Sequence, residues 1–214
     1  MPILKLRINQ VGIYSIFSDD KAVELQGLPA RTVPDQVQFP LSFKTEIDSD
    51  KSTAFYEHVF DENVPLLIAG PCAAEDENQI EETAKFIKSE GLNFFRAGCF
   101  KPRTNAYSFQ GLGETGLKIC REACDRHGLR FVTEVKTLSN LDPVMDYADV
   151  VQVGSKCMYD TGVLKTLGRG QLPVLLKRHF GASLRDFLGA AEHILVEGNS
   201  NLILCERGMS IPHT

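Results

Sequence analysis

The 214-residue sequence lacks the features that mark several common classes of protein. No apolar run approaches the roughly 18 residues that a membrane-spanning helix needs. Charged and polar residues interrupt the apolar residues of the N-terminus, unlike those of a signal peptide. Positive charge is not in excess, since the formal net charge is −5, and this argues against nucleic acid or a membrane surface as a partner. Together these absences predict a soluble cytoplasmic protein.

The six cysteines form no CxxC pair, and the chain is too long to need disulfides for its stability. Cys120 and Cys124 stand four residues apart on a predicted helix, but no histidine follows at the spacing of a zinc site. We therefore expect reduced cysteines, and we interpret this pair as small apolar residues that pack in the core, with metal binding as the less favoured alternative.

From residue 65 onward, short apolar runs alternate with segments of helical period. The runs are rich in Val, Ile, Leu and Phe, as strands covered on both faces should be. Strands are predicted at Pro65–Cys72, Phe94–Phe100, Arg130–Val135, Asp149–Gly154, Pro173–Lys177 and Asn201–Cys205. Helices are predicted at Asp76–Gly91, Thr115–Gly128 and Ser183–Gly198.

Repeated strand-then-helix units imply parallel strands with right-handed crossovers, in either a doubly wound sheet or a (β/α) barrel. No GxGxxG motif follows a strand, so a dinucleotide-binding sheet loses its main support. Polar residues instead follow every strand, as they do at the active-site face of a TIM barrel. The sequence predicts an α/β fold, an incomplete TIM barrel of about six of eight units, over residues 65–214.

Residues 1–64 predict a separate N-terminal segment. Two strands at Ile3–Ile8 and Gly12–Phe17 would form a hairpin, and residues 18–64 would form an irregular arm with a short helix near Thr53–Phe60. The sequence shows no internal repeat and no low-complexity tract.

Cationic residues accumulate at the predicted carboxyl ends of the strands, where they would repel one another unless anions lay among them. In a chain of negative net charge, this set favours binding of phosphates or carboxylates. The alternative is a set of solvated residues or partners of Glu134 and Glu206. The cations are Arg96, Lys101, Arg103, Lys156, Lys177, Arg178 and Arg207.

Seven short motifs lie along residues 65–208 in a fixed order. They are GPCA at 70–73, RAGCFKPRTN at 96–105, YSFQGLG at 107–113, QVGSK at 152–156, LLKR at 175–178, AAEHI at 190–194 and CERG at 205–208. On these motifs, residues 65–208 resemble the 3-deoxy-D-arabino-heptulosonate 7-phosphate (DAHP) synthases of the short type I-beta branch. The KPRT sequence separates this branch from the similar 3-deoxy-octulosonate 8-phosphate synthases.

The resemblance implies an aldol-type transferase of the shikimate pathway. It would condense phosphoenolpyruvate with erythrose 4-phosphate on a TIM barrel, with a divalent Mn, Fe or Zn ion. Cys72 corresponds to a metal ligand, and Lys101 to a phosphoenolpyruvate ligand that also moves a proton. The other implied substrate-binding residues are Arg96, Lys177, Arg207 and Lys156 for phosphoenolpyruvate, Arg103 and Thr104 for the aldose phosphate, and Glu134 and Gln152 for substrate or water.

The sequence also departs from the family. Lys156 replaces an arginine, so the charge is kept but the bidentate fork is lost. The family's other three metal ligands, a His, a Glu and an Asp, follow CERG on two further strand–helix units, whereas this sequence ends at Thr214. We therefore expect metal binding to be weak and activity to be impaired in isolation. A homo-oligomer or a completing partner chain is expected to cover the exposed strand edges.

Three functional hypotheses stay open on the sequence alone. The chain is a DAHP synthase-like aldolase, a catalytically inactive relative that binds phosphorylated ligands or regulates a full-length synthase, or a truncated gene product.

Overall fold

Six parallel strands and the five α-helices between them form the frame of the described barrel region. The computed structural model describes the strands within residues 5–22 and residues 66–207, with the exception of 102 and 104. The six strands are β4 (Ile68–Ala69), β5 (Phe94–Arg96), β6 (Arg130–Val135), β7 (Val150–Val153), β8 (Val174–Lys177) and β9 (Leu202–Cys205). The helices of this region are α1 (Glu77–Ser89), α2 (Gly113–His127), α3 (Leu141–Tyr147), α4 (Thr161–Arg169) and α5 (Leu184–Leu195).

The order of the strands in the sheet is the order of the strands in the chain. Each strand from β4 to β9 pairs with the next in parallel, and the sheet contains no reversal of order. A doubly wound sheet would reverse at a switch point. The six strands therefore form a curled half-barrel, which confirms the predicted incomplete α/β barrel.

The two faces of the sheet carry different residues because side chains alternate along a strand. One face packs against the helices in the main hydrophobic core, which contains Phe95, Phe131 and Val151. The other face, inside the curl, carries a smaller apolar layer built from Phe94, Val132, Val150 and Leu175, with Ile68 and Ile203 packed against it. Polar residues two positions further along the strands, such as Glu134 after Val132 and Lys177 after Leu175, lie on the same face. They therefore face the mouth of the half-barrel.

Local sequence signals fix the ends of the predicted helices. The Asp76 side chain accepts a hydrogen bond from the Gln79 N–H at 2.8 Å and caps α1. Gly128 ends α2 in the left-handed conformation at φ 61°, and Ser183 with Asp186 forms a reciprocal capping box at the start of α5. The expected helix starts and stops are thus confirmed to within a few residues.

The N-terminal segment contains β1 (Lys5–Asn9), β2 (Ile13–Ser18) and β3 (Lys21–Ala22) in a separate antiparallel sheet. β1 and β2 pair with one another and correspond to the predicted hairpin, displaced by one or two residues. The predicted helix near residues 53–60 lies outside the described residues, and the domain boundary at residue 64 stays a prediction. No helix in the described part of the chain is long and apolar enough to cross a membrane.

All six cysteines are free thiols. Cys120 and Cys124 are fully buried in the main core, where the sequence predicts them to pack. Cys120 also lies 4.0 Å from Cys99, measured between the sulfur atoms, so both thiols contribute to the contact between α2 and the loop after β5.

Candidate active site

The mouth of the half-barrel holds a cavity of about 350 Å³ at the carboxyl ends of the strands. Its lining residues come from the ends of all six parallel strands or from the loops that follow them. They are Cys72, Lys101, Arg103, Glu134, Val135, Lys136, Gly154, Ser155, Lys156, Cys157, Lys177 and Arg207. Seven of the residues predicted from the sequence are therefore brought together here.

Lys101 lies at the centre of this arrangement and is only 8% exposed. Its ammonium group donates to the Cys72 carbonyl oxygen at 2.6 Å and contacts the Cys72 sulfur at 3.3 Å. The backbone N–H of Lys101 donates to the Gln110 carbonyl oxygen at 2.8 Å, which fixes the start of the loop. A buried cation whose donors reach only neutral or weakly polar atoms is suited to bind an incoming anion.

The neighbouring Lys101 lowers the pKa of the Cys72 thiol, chiefly through their hydrogen bond, and its charge and that of Arg96 act in the same direction. The thiol is exposed at the cavity. By contrast, burial raises the pKa of Cys205. Cys72 therefore carries more thiolate at neutral pH than an ordinary cysteine.

We expect iodoacetamide to alkylate Cys72 first among the cysteines, with a half-maximal rate below the usual thiol pKa of about 8.5. Peptide mass mapping across a pH series measures this. In Lys101→Met the profile should move to higher pH, because the main source of thiolate stabilisation is gone. A Cys72 profile that is unchanged by this substitution would contradict the assigned contact.

The Glu134 side chain lies beside Gly154, which directly follows the adjacent strand β7. Gln152 donates its side-chain N–H to the Glu134 carboxylate, and the two residues are paired in register. A Cβ atom on Gly154 would lie 2.5 Å from the Glu134 carboxyl carbon, so any other residue there would displace this carboxylate. Gln152 is itself 6% exposed and reaches the cavity through Glu134.

Four further predicted cations, among them Lys156, line the cavity without an acidic partner. Arg207 donates to the Ser155 hydroxyl at 3.0 Å, and Arg103 donates to the Phe109 carbonyl oxygen at 3.3 Å. Lys177 is half-buried at the end of β8 and is paired in register with Cys205. Within the part of the chain that the structure describes, none of the cavity cations forms an ion pair.

Two predicted residues lie outside this lining. Arg96 donates to the Pro71 carbonyl oxygen at 3.2 Å below the cavity, and Thr104 lies outside the described residues. Arg178 directly follows β8, as expected of a strand-end cation, but it is not part of this lining. It pairs with Glu206 at 2.7 Å and donates to the Ala182 carbonyl oxygen, which agrees with the alternative that some of these cations are partners of Glu134 or Glu206.

Sequence reasoning missed Lys136 and Ser155 in the cavity lining. Lys136 follows Glu134 by two residues and so has the same phase on β6, a signal that could have identified it. Ser155 follows Gly154, where β7 has ended and a short 3₁₀ helix begins, so the alternation of a strand no longer applies.

Cys72 is the one predicted metal ligand that the structure describes. Among the described residues, no group of three or more His, Cys, Asp or Glu side chains could hold a metal ion. A catalytic metal normally takes about three protein ligands. The described residues therefore do not form a metal site.

The DAHP synthetase I family model matches residues 51–213, which is more than half of the chain. The chain belongs to the DAHP synthetase I family. Members of this family generally use a divalent metal ion, and they bind phosphoenolpyruvate and erythrose 4-phosphate.

Individual relatives place this DAHP synthetase I chain within the family. It is 45% identical over 143 residues to a phospho-2-dehydro-3-deoxyheptonate aldolase of Thermotoga maritima, covering 67% of this chain and 42% of the relative. It is 33% identical over 152 residues to a 2-dehydro-3-deoxyphosphooctonate aldolase of Desulfatibacillum aliphaticivorans, covering 68% and 56%. The chain thus spans about half the length of the curated relatives it matches.

A solved structure of the Thermotoga maritima DAHP synthase shares the fold of this DAHP synthetase I chain. The TM-score is 0.66 at 42% sequence identity, over 69% of this chain and 43% of the other. A truncated form of the DAHP synthase from the same organism gives a TM-score of 0.62 at 40% identity, over 69% and 53%.

Proposed function

We propose that the chain is a DAHP synthase-type aldolase that condenses phosphoenolpyruvate with erythrose 4-phosphate at the half-barrel mouth. One observation carries this proposal. Among the described residues of this chain, which belongs to the DAHP synthetase I family, six cations and a single carboxylate line one cavity at the carboxyl ends of the strands. In a (β/α) barrel this is the face that carries the active site.

The charge of the cavity supports two phosphorylated substrates. Phosphoenolpyruvate carries a phosphoryl group and a carboxylate, and the aldose carries a second phosphoryl group. Bringing these anions together costs electrostatic energy that only nearby cations can offset. Since the cavity cations form no described ion pair, their charge is available to the ligands.

We assign Lys101, Lys177, Arg207 and Arg96 to phosphoenolpyruvate. Lys101 is the buried member, so an anion at its ammonium group is shielded from water. Arg207 is oriented by the Ser155 hydroxyl, and Arg96 is held below the mouth by the Pro71 carbonyl oxygen. Arg103 and Thr104 are assigned to the aldose phosphate, for which a guanidinium fork provides two parallel hydrogen bonds.

The reaction forms one carbon–carbon bond. The enol carbon of phosphoenolpyruvate attacks the aldehyde carbon, whose oxygen takes up a proton. We assign the donation of this proton to the buried Lys101. Water then adds at the adjacent carbon, and that carbon releases its phosphate as the C–O bond breaks. We assign the proton of this water to Glu134, whose carboxylate accepts a hydrogen bond from Gln152.

A divalent metal would polarise the aldehyde in a complete site. Because the described residues do not form a metal site, none of the steps above is assigned to one. The same observation favours a second candidate function, in which the chain binds phosphorylated ligands without condensing them.

Release of inorganic phosphate from phosphoenolpyruvate distinguishes the two candidates. We expect slow release that requires erythrose 4-phosphate, because a lone cysteine does not hold a catalytic metal. Glu134→Gln should abolish this release, and the exposed control Lys85→Met on α1 should leave it unchanged. Binding of phosphoenolpyruvate without any release would favour the second candidate, and release without the aldose would contradict the aldolase.

We further propose that the chain acts as a homo-oligomer or with a completing partner chain, in the cytoplasm. Among the described strands of the half-barrel, β4 and β9 form the edges of the sheet, and exposed edges are normally covered. A stable monomer in light scattering at micromolar concentration would contradict this assembly.

A further inference from the structure

Lys136 directly follows β6, at the strand end that opens into the cavity. Val132 and Glu134 alternate along the strand, and Val132 belongs to the inner apolar layer. The half-buried side chain of Lys136 lines the cavity together with Glu134. It is a sixth cation beside the five that the sequence predicts in this lining.

The backbone around Lys136 is fixed by a buried side chain. The Asn140 side-chain oxygen accepts hydrogen bonds from the N–H groups of Lys136 and Thr137, both at 3.1 Å. Asn140 is 8% exposed, and its own N–H donates to the Thr137 carbonyl oxygen at 3.2 Å. The backbone that carries the Lys136 side chain is therefore already ordered. Binding a ligand does not have to order this part of the backbone, which reduces the entropy lost on binding.

Lys156 lines the same cavity from the loop after the neighbouring strand β7. Gly154 and the Glu134 carboxylate line this cavity too, and the carboxylate accepts a hydrogen bond from Gln152. Neither lysine forms an ion pair with any carboxylate that the structure describes. Two ammonium groups at one cavity wall repel each other until an anion lies between them.

We propose that Lys136 and Lys156 together bind the phosphoryl group of a phosphorylated substrate. A phosphoryl dianion matches two ammonium charges, whereas a carboxylate matches one. Its three oxygens can also accept from two donors that approach from adjacent strands, without the guanidinium fork that lysine lacks. The assignment rests on the proposed function and makes Lys136 an additional substrate-binding residue for it.

The test compares the affinities of Lys136 variants for phosphoenolpyruvate and for inorganic phosphate by titration calorimetry, using the 214-residue chain. Lys136→Met should lower the affinity for both ligands by about tenfold or more, the usual loss for a charge-assisted hydrogen bond. Lys136→Arg, which keeps the charge, should stay within about threefold of the unchanged chain. Lys85→Met, an equal change of net charge on the exposed face of α1, should have no effect.

Unchanged phosphate affinity in Lys136→Met would overturn the assignment, as would a loss seen with phosphoenolpyruvate but not with inorganic phosphate. If Lys136→Met does not unfold cooperatively, Lys136→Gln supplies the same comparison. The proposed function is tested separately. It requires that Lys101→Ala weakens the binding of phosphoenolpyruvate, whether or not Lys136 contributes to that binding.

Discussion

Gly111→Ala is expected to destabilise the chain by about 3 kcal/mol or more, since backbone strain and overpacking each cost about 1–3 kcal/mol. Gly111 has φ +96°, a conformation that alanine rarely adopts. A Cβ atom there would lie 1.9 Å from the Cys99 carbonyl oxygen and 3.2 Å from the Lys101 backbone nitrogen. The backbone of the loop after β5 would have to move.

Gly91→Ala is the matched control for this substitution. Gly91 also has a left-handed φ, +74°, but nothing lies within 4 Å of the added Cβ atom. Gly91→Ala should lower the free energy of unfolding by only about 1 kcal/mol, because it adds backbone strain without a steric clash. Urea unfolding of the two variants gives the comparison, and equal losses of stability would contradict the described packing of the loop.

Lys101→Ala is expected to weaken phosphoenolpyruvate binding by about 1.5–3 kcal/mol, the range for hydrogen bonds to charged groups. This corresponds to roughly tenfold to 150-fold in the dissociation constant. Lys101 is buried, and its ammonium group contacts only Cys72 among the hydrogen bonds of the described residues, so no other described contact depends on it. The loss should therefore appear in binding more than in folding.

Titration calorimetry of Lys101→Ala beside Lys85→Ala measures this difference. Lys85 is exposed on α1, so its removal changes the net charge equally without touching the cavity. A similar small loss of affinity in both variants would mean that the ligand responds only to the net charge of the chain. The assigned role of Lys101 would then be wrong.

The sequence contains most of the information that forms the frame. Each strand from β5 to β9 is a short run of apolar residues, and a strand buried on both faces requires little else. Phase along the strand also predicts which polar residues share the mouth, as with Glu134 and Lys177. Arg178 directly follows Lys177, and its ion pair with Glu206 agrees with the alternative that some strand-end cations are partners of acidic residues.

Two short helices between the strands are not among those predicted. α3 has seven residues and contains Pro143, so its local signal is weak and the burial of Val144 in the main core stabilises it. α4 does carry a signal that could have identified it, because the Asp160 side chain accepts hydrogen bonds from the N–H groups of Gly162 and Val163.

The contacts within the site could not be predicted either. The hydrogen bond between Lys101 and Cys72 joins residues 29 positions apart and depends on where two strands end. The close approach of Glu134 to Gly154 likewise depends on the register between β6 and β7. Residue types reveal the chemistry available, whereas register decides which groups meet.

Titration of phosphoenolpyruvate into the unmodified chain, without added metal and at two salt concentrations, tests the central claim most directly. The claim is that the half-barrel mouth is a cationic site for phosphorylated substrates. We expect saturable binding with a stoichiometry of one per chain, and a weaker affinity at higher salt because screening reduces the attraction of exposed cations. Absence of saturable binding at low salt, or binding that persists unchanged in Lys101→Ala and Arg207→Ala, would contradict the account.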